Sequence, residues 1–237
     1  MGSGEMSIGA STKLVALLGH PVAHSLSPQM QNAAFAACWL DWAYVALDVP
    51  PAQLEEALRG LVAGGFAGAN VTIPHKRAAS RLCDEAEGDA VNTLVFRQGR
   101  VLGFNTDKEI VAGIPSRCVC LIGAGGAAAA LLPGLHGEVR QYSRGGDWPP
   151  DAEGCDLVVN ATPVRNELLV RPRAGQVVVD LAYGDGETAL VTAARAAGCV
   201  VVDGLEALVR QGAASFERWT GVAAPVFAMR AALGLSP

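Results

Sequence analysis

The passage CVCLIGAGGAAAAL, Cys118 to Leu131, constrains this chain more than any other. Five apolar residues read as a buried strand, glycines follow, and an alanine-rich run has strong helix propensity. Gly123-x-Gly125-x-x-Ala128 between a strand and a helix fits the dinucleotide-binding fingerprint in the context it needs. Gly123 permits the tight turn, Gly125 lets a pyrophosphate approach the backbone, and Ala128 lets the helix pack closely. Exposed N–H groups at the helix start can then receive phosphate oxygens.

About 20 residues further on, NAD-binding folds place a carboxylate for the ribose hydroxyl. Here the chain reads Tyr142-Ser143-Arg144, with no carboxylate before Asp147. A cation suits a 2′-phosphate, so the expected cofactor is NADP.

The rest of the second half repeats the pattern. Apolar runs at Val139–Ser143, Leu157–Ala161, Val177–Ala182 and Val200–Asp203 lack polar alternation, as parallel strands buried on both faces do. Helices are expected at Thr188–Ala197, Leu205–Trp219 and Pro225–Leu233. The first half alternates likewise: strands at Leu14–Leu18, Ala43–Val49 and Gly68–Ile73, and helices from Ser27 to Cys38 and from Pro51 to Val62. Ser27-Pro28 has the form of an N-cap followed by proline. Val91–Phe96 and Val101–Phe104 suggest a hairpin about Gln98-Gly99. The expected fold class is therefore α/β in two domains, with a junction near Asp107.

Composition removes other classes. Hydrophobic residues are 51% and charged residues 17%, which excludes disorder, and a net charge of −5 argues against nucleic-acid or anionic-membrane binding. Cys118–Gly137 carries no formal charge, but its glycines and Pro133 break it into strand, turn and helix rather than a membrane span. The stretch Met1–Lys13 has no apolar run of a secretion signal, and a cytoplasmic protein is expected. The six cysteines (Cys38, Cys83, Cys118, Cys120, Cys155, Cys199) lack metal-ligand spacing and are expected to be free thiols, with Cys118 and Cys120 on one strand face. No metal site is expected.

Five strings outside the glycine loop are specific together: GHPVAHSLSP (Gly19–Pro28), NVTIPHK (Asn70–Lys76), AVNTL (Ala90–Leu94), GFNTD (Gly103–Asp107) and DGLEALVRQGAASFERWTG (Asp203–Gly221). In this order around GAGGAA, the chain resembles shikimate dehydrogenases along nearly its whole length. The resemblance implies a substrate domain, residues 1–107 with 204–237, and a Rossmann-like NADP-binding domain, residues 108–203, with a cleft between them. It implies NADP-dependent reduction of 3-dehydroshikimate to shikimate in aromatic amino-acid biosynthesis. Carried over by motif, Ser25 and Ser27 would bind the substrate carboxylate, and Thr72, Asn92, Tyr183 and Gln211 the ring. Lys76 and Asp107 would be catalytic. Gly123, Ala124, Gly125, Gly126, Ala127, Ser143, Arg144, Thr162 and Gly204 would bind NADP. A small-molecule substrate is the expected partner, and the protein is expected to be a monomer or homodimer.

Lys76 also makes chemical sense without the family. A carbonyl that accepts hydride needs a proton donor within hydrogen-bond reach. The chain holds only three lysines (Lys13, Lys76, Lys108) among eighteen basic residues, and lysine, unlike arginine, can release its proton. His20, His24 and His75 lie within the motifs and are expected to be structural or rim residues.

The nucleotide half departs from the family pattern. Asn-Arg-Thr is replaced by Ser143-Arg144-Gly145, the NTDxxG glycine by Ile110, and the NATPxG glycine by Arg165. Only 12 residues, Arg144–Cys155, separate two expected strands, too few for a helix and strand besides. A paralogue acting on quinate or an aminoshikimate-type acid therefore stays open, as does a shikimate-binding regulatory protein with weakened cofactor use.

Overall fold

A computed structural model of the chain describes residues 8–236. Residues 1–7, about half of the amino-terminal stretch discussed above, lie outside them. Of the described residues, those up to Thr106 together with those from Gly212 form one compact unit, and Asp107–Gln211 form the other. Asp107, Gly204 and Gln211 thus fall in the second unit, although the sequence groups them with the first.

The first unit opens with β1 (Lys13–Gly19), α1 (Ser27–Ala37), β2 (Trp42–Asp48), α2 (Leu54–Ala63) and β3 (Gly68–Val71). It continues with α3 (Lys76–Arg81), β4 (Glu85–Ala86), β5 (Thr93–Arg97) and β6 (Arg100–Phe104). The six strands form one sheet in the order β2-β1-β3-β5-β6-β4. β1 runs parallel to β2 and β3, whereas β5 is antiparallel to both β3 and β6.

Local sequence explains most of these elements. In α2, Leu54, Leu58 and Leu61 recur at helical spacing and are buried against Leu18, Ala69, Val71 and Leu94 of the sheet. Each buried leucine stabilises the fold by roughly 1.5–3 kcal/mol, and Glu55 and Glu56 in the first turn complement the helix dipole. The hairpin turns on Gln98 and Gly99, both at positive φ (52° and 77°), the geometry of a type I′ turn whose twist suits paired strands.

Two local expectations need correction. The α1 N-cap is Leu26, with no side-chain capping bond, and Ser27 is already helical. The strand expected to Ile73 ends at Val71, and Lys76 begins α3. β3 stops at Val71 because the chain turns at Thr72, where the His75 N–H bonds the Thr72 oxygen (2.8 Å), and Pro74 has no N–H to extend a ladder.

The second unit holds β7 (Cys118–Ile122), α4 (Gly126–Leu131), β8 (Glu138–Tyr142), β9 (Leu157–Asn160), β10 (Val177–Asp180), α5 (Ala189–Ala196) and β11 (Val200–Val202). Helix α6 (Gly204–Thr220) contains the boundary between the units, and α7 (Val226–Ala232) follows. The strand order is β11-β10-β9-β7-β8, with every pair parallel. Alternate residues of β7 face opposite ways. Val119 and Leu121 pack with Ala128 and Leu131 of α4, while Cys118, Cys120 and Ile122 pack with Leu190 and Ala194 of α5.

No helix lies between β8 and β9, as the short connection requires. Ala152 and Cys155 of that loop fill part of the core instead. The expectation of free thiols fails for Cys118, which forms a disulfide with Cys155. Cys155 leads into β9, the neighbour of β7, and the two Cα atoms are 4.4 Å apart, within disulfide reach. No helix among the described residues is long and apolar enough to cross a membrane.

Candidate active site

In the first unit, the residues expected at substrate gather where β1 and β3 end and β5 begins. Val71 N–H donates to the Asn92 oxygen (2.8 Å), and Val91 N–H donates to the Lys76 oxygen (3.1 Å). The start of α3 is thereby tied to the segment carrying Asn92. Thr72 packs its methyl group over Gly19, where a Cβ would come within 2.5 Å of it. Ser25 Oγ accepts from Ser27 N–H (3.3 Å).

A buried polar network beneath these residues was not legible in the motifs. Tyr44 donates its hydroxyl to Asn70 Oδ1 (2.8 Å), and Ser27 hydrogen-bonds the same tyrosine. Asn70 Nδ2 donates to the Asn92 oxygen (2.9 Å), to Thr93 Oγ1 and to Ser215 Oγ (both 3.1 Å). Thr106 N–H donates to Asn92 Oδ1 (2.7 Å), which fixes the orientation of that amide. Burial pushes the Tyr44 hydroxyl far above its ordinary range, so Tyr44 stays a neutral donor. Asn70, a polar residue inside an otherwise apolar strand, was the available signal.

Among the histidines, His75 is buried with Nε2 at 2.7 Å from the Val49 oxygen, a structural role. His20 sits at the rim with Nδ1 at 2.6 Å from Asp48, and His24 is exposed. Buried Gln31 on α1 donates to the oxygen of Gly212, the residue after Gln211 (2.9 Å).

In the second unit the strand order reverses between β7 and β9, and open parallel sheets bind ligands at such a point, beyond the carboxyl ends of the strands. Gly123 leaves β7 there with φ 120°, and a Cβ on it would lie 3.3 Å from the Thr162 methyl group. Ala124, Gly125 and Gly126 are exposed, Ala127 is half-buried, and nothing lies within 4 Å of a Cβ built on Gly125 or Gly126. No side chain caps α4. An open glycine cradle with an uncapped helix start fits a dinucleotide pyrophosphate.

Thr162 is held by Asn160, whose Oδ1 accepts from the Thr162 N–H (3.0 Å) and hydroxyl (2.6 Å). Asn160 Nδ2 donates to Asp180, which also accepts from the Thr188 hydroxyl (2.5 Å) and the Ala182 N–H (3.0 Å). Burial pushes the Asp180 carboxyl above the usual range, and these hydrogen bonds oppose the rise. Tyr183 is 37% exposed, and its own partial burial raises its hydroxyl. Gly204 meets this loop, since a Cβ there would lie 2.7 Å from the Ala182 oxygen and 2.8 Å from Tyr183 Cβ. Ser143 turns the chain after β8, its N–H bonding the Asp147 oxygen (3.0 Å). Arg144 is engaged with Glu167 (2.8 Å) and lies over the Trp148 ring (5.4 Å). Asp107 is buried at the start of a short 3-10 segment, and Gln211 Nε2 donates to the Leu208 oxygen (3.0 Å).

The shikimate dehydrogenase substrate binding domain matches residues 17–94, and the shikimate 5′-dehydrogenase C-terminal domain matches residues 204–233. Shikimate dehydrogenase (NADP(+)) of Methanopyrus kandleri is 38% identical over 96% of this chain and 97% of its own. The chain belongs to the shikimate dehydrogenase family. A shikimate dehydrogenase crystallised with NADP+ superposes with a TM-score of 0.87 at 32% identity, covering 98% of each chain. The Thermus thermophilus shikimate 5-dehydrogenase in complex with NADP(H) and shikimate gives a TM-score of 0.82 at 32% identity, over 93% of this chain and 98% of that one. The two-domain, Rossmann-like architecture of the family is thus retained although the connection after β8 has lost its helix. The family's departure at Arg165 is also accommodated, for the guanidinium turns to the Asp185 and Gly186 oxygens.

Proposed function

We propose that this protein is an NADP-dependent shikimate dehydrogenase that reversibly reduces 3-dehydroshikimate to shikimate. The observation that carries the reading is the tie between Lys76, at the start of α3, and the segment bearing Asn92. It supports a proton donor held beside a ring-binding amide, within a family whose relatives are NADP-dependent shikimate dehydrogenases.

Ser25 and Ser27 bind the substrate carboxylate. Thr72, Asn92, Tyr183 and Gln211 hold the ring, and Tyr44 and Asn70 brace Ser27 and Asn92 from below. NADP, when bound, supplies the hydride or takes it back. Lys76 gives its proton to the carbonyl oxygen as negative charge develops there. Asp107 binds a substrate hydroxyl. Gly123 to Ala127 form the pyrophosphate side of the cofactor site, and Thr162 and Gly204 complete the site. Ser143 and Arg144 receive the 2′-phosphate. Of these residues, Ser25, Ser27, Thr72, Lys76 and Asn92 belong to the first unit, and all the nucleotide-binding residues belong to the second. The protein works in the cytoplasm as a monomer or homodimer.

The test is a spectrophotometric assay of shikimate and quinate, each with NADP and with NAD. Shikimate with NADP should give the highest kcat/KM. A preference for quinate would replace the substrate assignment, and shikimate binding without turnover would favour a regulatory protein.

A further inference from the structure

Arg165 lies beyond β9 in the same loop as Thr162, and its side chain is spent on a different loop. Nη2 donates to the Asp185 oxygen at 2.7 Å and to the Gly186 oxygen at 2.8 Å. A Cβ on Gly184 would lie 2.7 Å from Nη1 and 2.9 Å from Cζ, so the guanidinium occupies the space that only a glycine leaves. Gly184 and Gly186 have φ of 154° and 73°, a backbone path that favours glycine. The main chain adds a third bond, from Ala189 N–H to the Arg165 oxygen (2.7 Å). Nε is buried with no partner, so the side chain is held by Nη2 and by its fit against Gly184.

Residues 161–165 and 182–189 are therefore tied twice. The inner tie is Asn160 to Asp180, with Asp180 holding Ala182 N–H and Thr188. The outer tie is Arg165 to Asp185 and Gly186. Tyr183 lies between them in sequence, one residue before the glycine against which the guanidinium rests. We propose that Arg165 is a positioning residue for the dehydrogenase reaction, acting by holding the 183–186 loop so that Tyr183 is presented to the substrate. The proposal rests on the reading that Tyr183 contacts the substrate ring.

The experiment is a double-mutant cycle on kcat and KM for shikimate and NADP, using Arg165→Met, Tyr183→Phe and the pair. Arg165→Met should lower kcat/KM for shikimate roughly 10- to 100-fold, the scale of a small misplacement, with a much smaller change in KM for NADP. Tyr183→Phe should cost several-fold alone and less than about twofold in the Arg165→Met background, since misplaced groups no longer act as a unit. Arg165→Lys keeps a donor toward the same oxygens and should recover part of the loss. It replaces Arg165→Met in the cycle if that variant does not fold. Multiplicative losses would overturn the inference alone. A Tyr183→Phe enzyme with wild-type kinetics would overturn the Tyr183 assignment and the inference with it.

Discussion

Asn160 Nδ2 donates to Asp180 Oδ1 at 2.9 Å, between two residues paired in register on the parallel strands β9 and β10. Both side chains are fully buried. The pair ends the two strands in the second unit and sets the start of both loops that follow, one leading to Thr162 and the other to Tyr183.

Removing Asp180 should therefore be costly. Asp180→Ala leaves Asn160, Thr188 and the Ala182 N–H without their acceptor, and each buried donor so orphaned costs about 1–3 kcal/mol. A loss of about 3 kcal/mol or more is expected in urea denaturation, with Asp180→Asn losing less. The carboxyl is raised in the folded protein, which then holds its proton more tightly than the unfolded chain. Its contribution is present below the unfolded value, about 3.9, and is lost as pH rises through the folded one. Asp180→Asn should gain relative to the parent protein across that window. A stability gap independent of pH would show that burial does not shift Asp180.

Lys76→Ala should lower turnover roughly 10²–10⁴-fold, the usual contribution of general acid–base catalysis. Shikimate affinity, measured by calorimetry, should change much less because Ser25, Ser27, Thr72 and Asn92 remain. Lys76→Arg should also fail, since it keeps the charge and cannot release the proton. Near-normal turnover in Lys76→Arg would reduce the role of Lys76 to charge alone.

Arg144 and Glu167 form an ion pair with both side chains exposed (67% and 54%). Such pairs contribute about 0–1 kcal/mol, less than the roughly 1.5–3 kcal/mol of a charge-assisted bond to phosphate. A 2′-phosphate can therefore draw Arg144 away from Glu167. Arg144→Ala should raise KM for NADPH roughly tenfold or more and leave KM for NADH nearly unchanged, whereas Glu167→Gln should lower KM for NADPH slightly. Equal effects of Arg144→Ala on both cofactors would remove the assignment.

Gly68→Ala tests the packing of α6 on the first unit's sheet. Trp219 Nε1 donates to the Leu94 oxygen at 2.9 Å across the Gly68 backbone. A methyl group at position 68 would overlap that carbonyl oxygen and the indole nitrogen. The backbone oxygen cannot move without breaking the sheet, so a loss of about 1–3 kcal/mol is expected in thermal or urea unfolding. A variant as stable as the parent would mean that α6 shifts freely over β3.

The sequence by itself determined the elements whose signals are local. The leucine spacing of α2, the Gln98-Gly99 turn and the strand–glycine–helix passage at Cys118–Leu131 each depend on neighbours within a few residues, and the motif strings carried the family. The missing helix after β8 was legible as a length. Tertiary structure alone decided what depends on residues far apart in the chain. Cys118 meets Cys155 because β9 returns to the side of β7 that β8 leaves open. The partners of Asn70 are Tyr44 on β2, Asn92, Thr93 on β5 and Ser215 on α6, and Asp180 meets Asn160 only through strand register. Arg165 illustrates the division most plainly: the sequence marked it as a departure, but its direction was set by Gly184, nineteen residues later, whose missing side chain leaves room for the guanidinium.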